Sequence, residues 1–232
     1  MTIQLYDLTC CDQRIYFSPF CWRTRMALIH KGLAFESIPW HFTDKDKIAQ
    51  TGEGRVPVII DNGRWIHDSW RIAEYLDTTY PDRPALMPDA AARATAKFVD
   101  GWCVSAVFPT LRPVCVEPVF RIVAGKDKAY FRESREKMLG RTLESLSTDP
   151  AAERKAVVAA LKPFEDMLSV APYFGGDAPS YADYVLFGTL MWPYTVCEGS
   201  VLEPGSRTAQ WFDRLLDHND SYARQSAARA YT

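Results

Sequence analysis

The 232-residue sequence is poor in the residues that mark a disulfide scaffold or a metal site. It has six cysteines and four histidines, with no C-x-x-C pair and no H-E-x-x-H motif. Disulfide scaffolds need a higher density of cysteine, and zinc sites need ligands at recognisable spacing. We therefore expect reduced cysteines, a cytoplasmic protein and no bound metal.

Excess charge and long apolar runs are also lacking. The net charge is −2 and the basic residues are dispersed, unlike the basic patches that bind nucleic acid. We see no apolar run approaching the ~18 residues that cross a bilayer. The opening "MTIQLYDL" lacks the basic and apolar regions of a signal peptide. We expect neither a nucleic-acid partner nor a membrane.

The first 80 residues alternate strand and helix signals. The order β-α-β-α-β-β-α predicts a small sheet with a parallel βαβ unit, and the "DNG" turn predicts an antiparallel hairpin at its edge. Helical spacing places Trp22, Met26 and Ile29 on one face of the first helix. The expected strands are Ile3–Leu8, Phe35–Pro39, Val56–Ile60 and Arg64–His67, and the expected helices are Ser18–Lys31, Asp68–Tyr80 and an irregular polar one closed by Gly52.

The remaining sequence predicts helices only. "YPDRPALMPD" has three prolines in ten residues, so we place a linker at 81–89, between an α/β domain at 1–80 and an all-helical domain at 90–232. "SYAD", Ser180–Asp183, is a capping box. The expected helices are about Ala90–Ala124, interrupted near Pro109, Pro113 and Pro118, then Lys126–Leu146, Ala151–Leu168, Ser180–Val196 and Arg207–Asp217.

"FSPFCWRTRMAL" raises a question about Ser18. Proline at the first helical position makes Ser18 the N-cap. The same serine occupies the place of the first cysteine in a C-x-x-C redox motif. It is therefore a relic of such a motif, a cap, or a hydroxyl with its own chemical role.

Two further stretches offer binding groups. In "RVPVI", a cis Val56–Pro57 bond would turn the free N–H and C=O of Val56 outward, where they would pair with an extended peptide; the alternative is an ordinary trans proline at the start of a strand. In "HDSW", Asp68 and Ser69 stand at a helix start, where backbone N–H groups bind anions. Simple N-capping by one of the two is the alternative.

The chain resembles the glutathione transferases, which join a thioredoxin-like glutathione-binding domain to an all-helical substrate-binding domain. The resemblance covers nearly the whole chain and rests on "SPFCWRTRMALIHKGL", "RVPVI", "DSWRIAEYLDTTYP" and "SYADY", in the family's order and spacing. The S-P-x-x-W-R start and "GGDAPSYADY" are most similar to serine-type members, and more narrowly to the bacterial lignin β-etherases and related fungal transferases. The resemblance implies glutathione as co-substrate, a cis Pro57 and a homodimer.

The resemblance also implies a set of glutathione contacts. Val56 would hold the cysteinyl backbone, Asp68 the γ-glutamyl ammonium and Ser69 the γ-glutamyl carboxylate. Arg55 would neutralise the glycine carboxylate, with His41 and Lys45 as further candidates. The full expected set is Phe20, Trp22, His41, Arg55, Val56, Pro57, Asp68 and Ser69.

In this setting Ser18 has a chemical role, because its hydroxyl can donate a hydrogen bond to the glutathione thiolate without being deprotonated. Cys21 lies one turn into the helix and is expected to be shielded, which argues against a redox nucleophile. Cys10 and Cys11 precede the helix and are expected to be more exposed. They are candidates for mixed disulfides with glutathione.

The expected activity is transfer of glutathione to a small hydrophobic, aromatic electrophile. β-Aryl ether cleavage is the sharper form, and other serine-type members isomerise or dehalogenate. A non-catalytic carrier of hydrophobic ligands and a glutathione-dependent thiol reductase are the alternatives. Phe20 and Trp22 are also candidate walls of the electrophile pocket, and the helical domain would contribute Trp102, Phe108, Tyr130, Trp192 and Tyr194.

Overall fold

A four-stranded sheet forms the centre of the N-terminal half in the computed structural model, which describes residues 2–146 and 149–231. The strand order is β2-β1-β3-β4; β1 pairs with β2 in parallel, and the other neighbours are antiparallel. This confirms the predicted topology. The third strand starts two residues later than expected, after Pro57. The strands are β1 (Ile3–Leu8), β2 (Phe35–Trp40), β3 (Val58–Asp61) and β4 (Arg64–His67).

The helix α1 (Pro19–His30) begins at Ser18, as predicted from the proline that follows it. It ends before Gly32, whose φ of 63° is a left-handed conformation that glycine adopts readily. Every residue from Cys21 to Leu28 is buried, whereas Ile29 is only half-buried. Burial of α1 is therefore not confined to one face, because other elements cover it on both sides.

A 3₁₀ helix (Lys45–Thr51) lies between β2 and β3, and α2 (Ser69–Thr79) follows β4. Ile72 and Leu76 of α2 are buried. Tyr75 and Tyr80 are only half-buried, and both hydroxyls donate to Asp61 Oδ2, at 2.9 and 2.6 Å. The segment from 81 to 89, where we placed the linker, has neither helix nor strand.

The remaining described elements are all helical, as predicted. Pro113 and Pro118 lie inside a continuous helix, and the interruption is instead a π-helical turn at Cys103–Val107. The sequence reading missed the last helix, where residues 219–221 have positive φ. The main helices are α3 (Ala90–Trp102), α4 (Phe108–Ile122), α5 (Lys128–Leu139), α6 (Pro150–Met167), α7 (Tyr181–Val196), α8 (Arg207–Leu216) and α9 (His218–Ser226).

The helical run Ala90–Ile122 bears on the expectation that no apolar stretch is long enough to cross a membrane. It has 33 residues and a mean hydropathy of 1.3 in its most apolar stretch, so by length and composition it could cross a membrane. In the part of the chain that the structure describes, it is the one helix that meets this test. Core helices of soluble proteins meet it too, so the finding is weak evidence for a membrane.

The capping box at the start of α7 is present. Asp183 is fully buried, and its carboxylate accepts from the backbone N–H groups of Ser180 (2.9 Å) and Phe174 (3.0 Å) and from Trp211 Nε1 (3.1 Å). Because unpaired buried donors are costly, this one carboxylate joins the start of α7 to the preceding loop and to α8.

The two halves meet where α1 packs directly on α7. A Cβ built on Gly188 would lie 2.5 Å from the carbonyl oxygen of Pro19 and 3.0 Å from the nitrogen of Arg23. Arg23 also donates to Asp100 of α3 (2.7 Å) and to Thr189 Oγ1 (3.3 Å). Only glycine permits this approach, and the helical domain thereby positions the first turn of α1.

We predict that Gly188→Ala lowers the free energy of unfolding by about 1–3 kcal/mol, because the added methyl group must push two backbone segments apart. Gly101→Ala is the matched control. Gly101 lies in α3 with open space where a Cβ would be, so alanine there should raise stability by roughly 0.5–1 kcal/mol. Urea unfolding measures both. Wild-type stability in Gly188→Ala would contradict the tight contact.

Candidate functional site

A cavity of about 420 Å³ opens on the N-terminal half, between the segment before β3 and the start of α2. It is lined by six of the predicted glutathione-binding residues and by three residues that were not predicted from the sequence. Its wall consists of Phe20, Glu53, Arg55, Val56, Pro57, His67, Asp68, Ser69 and Arg71.

Val56 presents its backbone at this cavity. The Val56–Pro57 bond is cis, and strand pairing begins only at Val58. Within residues 2–146 and 149–231, neither the N–H nor the C=O of Val56 has a backbone hydrogen-bond partner. The sequence alternative of a trans proline is therefore wrong. An extended peptide could pair with both groups.

The start of α2 forms the opposite wall. Asp68, with φ of 70°, is the N-cap, and its Oδ1 accepts from the backbone N–H groups of Trp70 (3.0 Å) and Arg71 (3.1 Å). Asp68 is therefore the capping residue of α2, and Ser69 does not cap the helix. Ser69 is buried, and its carbonyl accepts from the hydroxyl of Tyr181 (2.7 Å). This wall offers a carboxylate, a hydroxyl and a helix N-terminus together.

The missed residues are all charged or titratable. His67 lies 4.0 Å from Glu53 and 3.4 Å from the Arg71 guanidinium. Arg71 is one turn after Asp68, on the same side of α2, and that spacing was a signal available in the sequence. No sequence signal pointed to Glu53, because only the fold of the loop before Val56 brings it to the cavity. Arg55 forms no ion pair with any described residue.

Ser18 is 4% exposed and does not line the cavity, although Phe20 two residues later does. The backbone N–H of Cys21 donates to its Oγ (3.3 Å), a bond that does not use the hydroxyl hydrogen of Ser18. The N-cap interpretation of Ser18 is confirmed.

Two predicted glutathione contacts lie elsewhere. Trp22 is completely buried, and its Nε1 donates to the carbonyl of Tyr16 (2.8 Å), because its direction on α1 faces the core. His41 follows β2, is 9% exposed, and has its Nδ1 3.8 Å from Asp127. Burial lowers the pKa of His41. Both assignments are corrected, since neither side chain reaches the cavity.

The predicted aromatic residues divide among three places. Phe20, which is 38% exposed, stacks on Phe108 with ring centroids 5.8 Å apart, and Phe108 contacts Trp192 at 6.2 Å. These three rings form an aromatic group that starts at the cavity wall; we call it the aromatic wall. Trp102 is half-buried in the helical packing and has no ring contact with the aromatic wall.

Tyr130 and Tyr194 lie away from the aromatic wall. Tyr130 packs near Phe42 at 6.4 Å and beneath Lys45, whose Nζ is 4.7 Å from its centroid. Tyr194 lines a different cavity of about 290 Å³, formed with α8 and Arg229. Trp192 and Tyr194 are two positions apart on α7 and so point in different directions. The assignment of Tyr194 to the electrophile pocket is corrected.

Comparison with known families identifies both halves. Residues 94–218, more than half of the chain, match the family model of the glutathione S-transferase C-terminal domain. Residues 17–79 match that of the N-terminal domain. The chain belongs to the glutathione S-transferase superfamily.

Individual relatives span most of this transferase. Glutathione S-transferase U28 of Arabidopsis thaliana is 27% identical over 209 residues, 87% of this chain and 82% of its own. GSTFuA3 from Phanerochaete chrysosporium has a solved structure with a TM-score of 0.78 and 25% identity, covering 98% of this chain and 96% of that one. CsGST63524 of Ceriporiopsis subvermispora, solved in complex with glutathione, has a TM-score of 0.74 and 27% identity over 97% and 95% of the chains.

The cysteines of this transferase differ sharply in accessibility. Cys11 is exposed, and the other five are buried. Burial raises the pKa of Cys10 to about 12 and raises that of Cys21 well above its usual range. The expectation that Cys10 is exposed is wrong. Cys21 is buried as expected, in surroundings that disfavour its thiolate.

We predict that a thiol reagent such as Ellman's labels one of the six cysteines rapidly in the native protein, because only Cys11 is accessible. Cys11→Ser should remove this fast phase, and Cys21→Ser, the control, should leave it unchanged. In denaturant the remaining thiols should react. Fast labelling that persists in Cys11→Ser would contradict the burial of the others.

Proposed function

We propose that this transferase binds glutathione in the 420 Å³ cavity, lowers the pKa of its thiol through the Ser18 hydroxyl, and transfers it to a hydrophobic aromatic electrophile. The observation that carries the proposal is the free backbone of Val56 beside cis Pro57, in the same cavity as the start of α2. The glutathione complex of the Ceriporiopsis subvermispora relative supports the choice of ligand. The cytoplasm is the proposed location.

In the proposed complex each end of the tripeptide meets a group of suitable charge. Val56 pairs with the cysteinyl backbone. The exposed Asp68 carboxylate holds the γ-glutamyl ammonium, and Ser69 with the helix N-terminus holds the γ-glutamyl carboxylate. Arg55, which lines the cavity without an ion-pair partner among the described residues, neutralises the glycine carboxylate. Phe20 and Pro57 supply apolar wall.

One serine hydroxyl is sufficient for the thiolate. A free thiol has a pKa near ~8.5, and lowering it by two units requires about 2.7 kcal/mol of preferential thiolate stabilisation. A hydrogen bond to a charged group contributes roughly 1.5–3 kcal/mol, and a helix N-terminus adds about 0.3–1. Ser18 combines both as the N-cap of α1.

The aromatic wall of Phe20, Phe108 and Trp192 supports an aromatic electrophile, because offset rings stabilise a stacked ligand. In the more specific proposal, β-aryl ether cleavage, the glutathione sulfur attacks the carbon that bears an aryl ether. The carbon–sulfur bond forms as the carbon–oxygen bond breaks, and the oxygen leaves with the electron pair as a phenoxide.

The alternatives differ in what they require. A carrier needs only the aromatic wall, and it would bind aromatic ligands without turnover. A thiol reductase would need an accessible reactive cysteine in place of Ser18, and Cys21 is completely buried. The geometry therefore favours conjugation over reduction.

We also propose a homodimer, as the family resemblance implies. Phe98 and Val104 are 74% and 50% exposed on the Ala90–Ile122 run, and only 39% of its most apolar stretch is buried within the chain. A second copy is the proposed cover for this surface. A monomer mass in sedimentation would refute it.

We predict that Ser18→Ala raises the pKa of bound glutathione by about one unit or more, because the thiolate loses a charge-assisted hydrogen bond. Titration of the thiolate absorbance in the ultraviolet measures this. Cys21→Ser, one turn further on, is the control and should leave both the pKa and turnover unchanged. An unshifted pKa in Ser18→Ala would refute the mechanism, and loss of turnover in Cys21→Ser would favour the reductase.

A panel of aryl ethers and haloaromatics, each with glutathione, tests the reaction class. We predict glutathione conjugates in at least one series, with release of phenol from the ethers if β-ether cleavage is the activity. Release of halide alone would identify a dehalogenase. Binding across the panel without any product would support the carrier.

A further inference from the structure

Arg71 and Asp68 carry opposite charges at the start of α2, yet they do not pair with each other. Both side chains are exposed, and both line the cavity of about 420 Å³. Among the described residues, no carboxylate lies within ion-pair distance of the Arg71 guanidinium, and no cation lies within that distance of the Asp68 carboxylate. Asp68 Oδ1 accepts from the backbone N–H groups of Trp70 and Arg71 in its role as the cap. The cavity therefore presents one unpaired charge of each sign.

The Arg71 side chain leans back over the start of α2. Helical side chains point toward the N-terminus of their helix, and Arg71 is the third residue of α2. Its Nη1 lies 3.4 Å from Nε2 of His67, the residue before the N-cap. That distance is long for a hydrogen bond, and it involves one of the five N–H donors of the guanidinium. The guanidinium thus lies beside the first turn with most of its donors unused by the described residues.

The position of Arg71 does not help α2 to form. A cation in the first turn is repelled by the positive end of the helix dipole, and α2 has no acidic residue in that turn to offset it. An exposed arginine usually needs no partner, because water solvates it. Arg71 differs in that it lines the same cavity as the free backbone of Val56. A ligand carboxylate bound there would remove the repulsion.

We propose that Arg71, together with Ser69, binds the γ-glutamyl carboxylate of glutathione, while Asp68 binds the ammonium on the same carbon. This deepens the proposed function and rests on it. The γ-glutamyl end carries both charges on one carbon, and the two unpaired charges three residues apart on α2 complement them. A guanidinium binds a carboxylate through paired N–H donors. Arg55, in the loop before β3, is left for the glycine carboxylate.

The test removes one carboxylate of the ligand at a time. Calorimetry measures the binding of S-methylglutathione, of its analogue with 4-aminobutanoyl in place of γ-glutamyl, and of S-methyl-γ-glutamylcysteine, which lacks the glycine. We expect Arg71→Gln to weaken binding of S-methylglutathione by about tenfold or more, the effect of one hydrogen-bonded charge. The glycine-free ligand should lose the same factor. The 4-aminobutanoyl analogue, which has no glutamyl carboxylate, should bind Arg71→Gln and wild type equally.

Arg64→Gln is the matched control, because it removes the same charge from an exposed position on β4 that does not line the cavity. It should leave the affinity for all three ligands unchanged. Arg71→Lys keeps the charge without the paired donors, so it should retain part of the affinity for S-methylglutathione. This second variant keeps the test decisive if Arg71→Gln fails to fold.

Three results would overturn the proposal: wild-type affinity for S-methylglutathione in Arg71→Gln, an equal loss for the 4-aminobutanoyl analogue, or an equal loss in Arg64→Gln. A loss that disappears when the glycine is absent would also overturn it, by assigning Arg71 to the glycine carboxylate. Failure of the proposed function has a different signature, since wild type would then not bind S-methylglutathione at all. Because these ligands do not react, the results stand apart from the tests of transfer.

Discussion

The contact between α1 and α7 is the constraint on which the proposed site depends. A helix that must present its first turn to a ligand needs a rigid support behind it, and Gly188 lets the carbonyl of Pro19 approach the α7 backbone directly. The side chains of α1 are then enclosed from the sheet side and from the helical side. The position of Ser18 therefore depends on the packing of α1 against the helical domain, although its capping hydrogen bond lies within α1.

Buried charges distinguish the structural part of the molecule from the part available to ligands. Arg25 is completely enclosed, and it joins β1, β2 and α9 through Asp7, Ser37 and Tyr222. A buried pair of this kind adds little net stability, because desolvation offsets much of the attraction, but loss of one partner would leave an uncompensated buried charge. Arg55 and Arg71, which line the cavity, form no ion pair with any residue that the structure describes. The buried arginine therefore has a structural role, whereas the cavity arginines can still bind an anionic ligand.

Local signals predicted most of the fold. Alternation gave the limits of β1, and proline after serine located the start of α1 to the residue. The resemblance to a family, and not the low base rate of cis bonds, pointed to the cis Pro57. The errors concern direction: Phe20 reaches the cavity but Trp22 faces the core, and Trp192 joins the aromatic wall but Tyr194 does not. Residues two apart on a helix point roughly 200° apart, so choosing between them requires the position of the neighbouring helix, which is not a local property.

The hydrogen bond from Tyr181 to the carbonyl of Ser69 spans the two halves at 2.7 Å. Ser69 is the first residue of the helix that forms one wall of the cavity, and Tyr181 is the first residue of α7, most of which is buried. Any ligand that orders the start of α2 therefore also favours the docked arrangement of the domains. By thermodynamic linkage, a ligand that orders the start of α2 would strengthen the contact between the two halves, and a tighter contact between the halves would in turn favour that ligand.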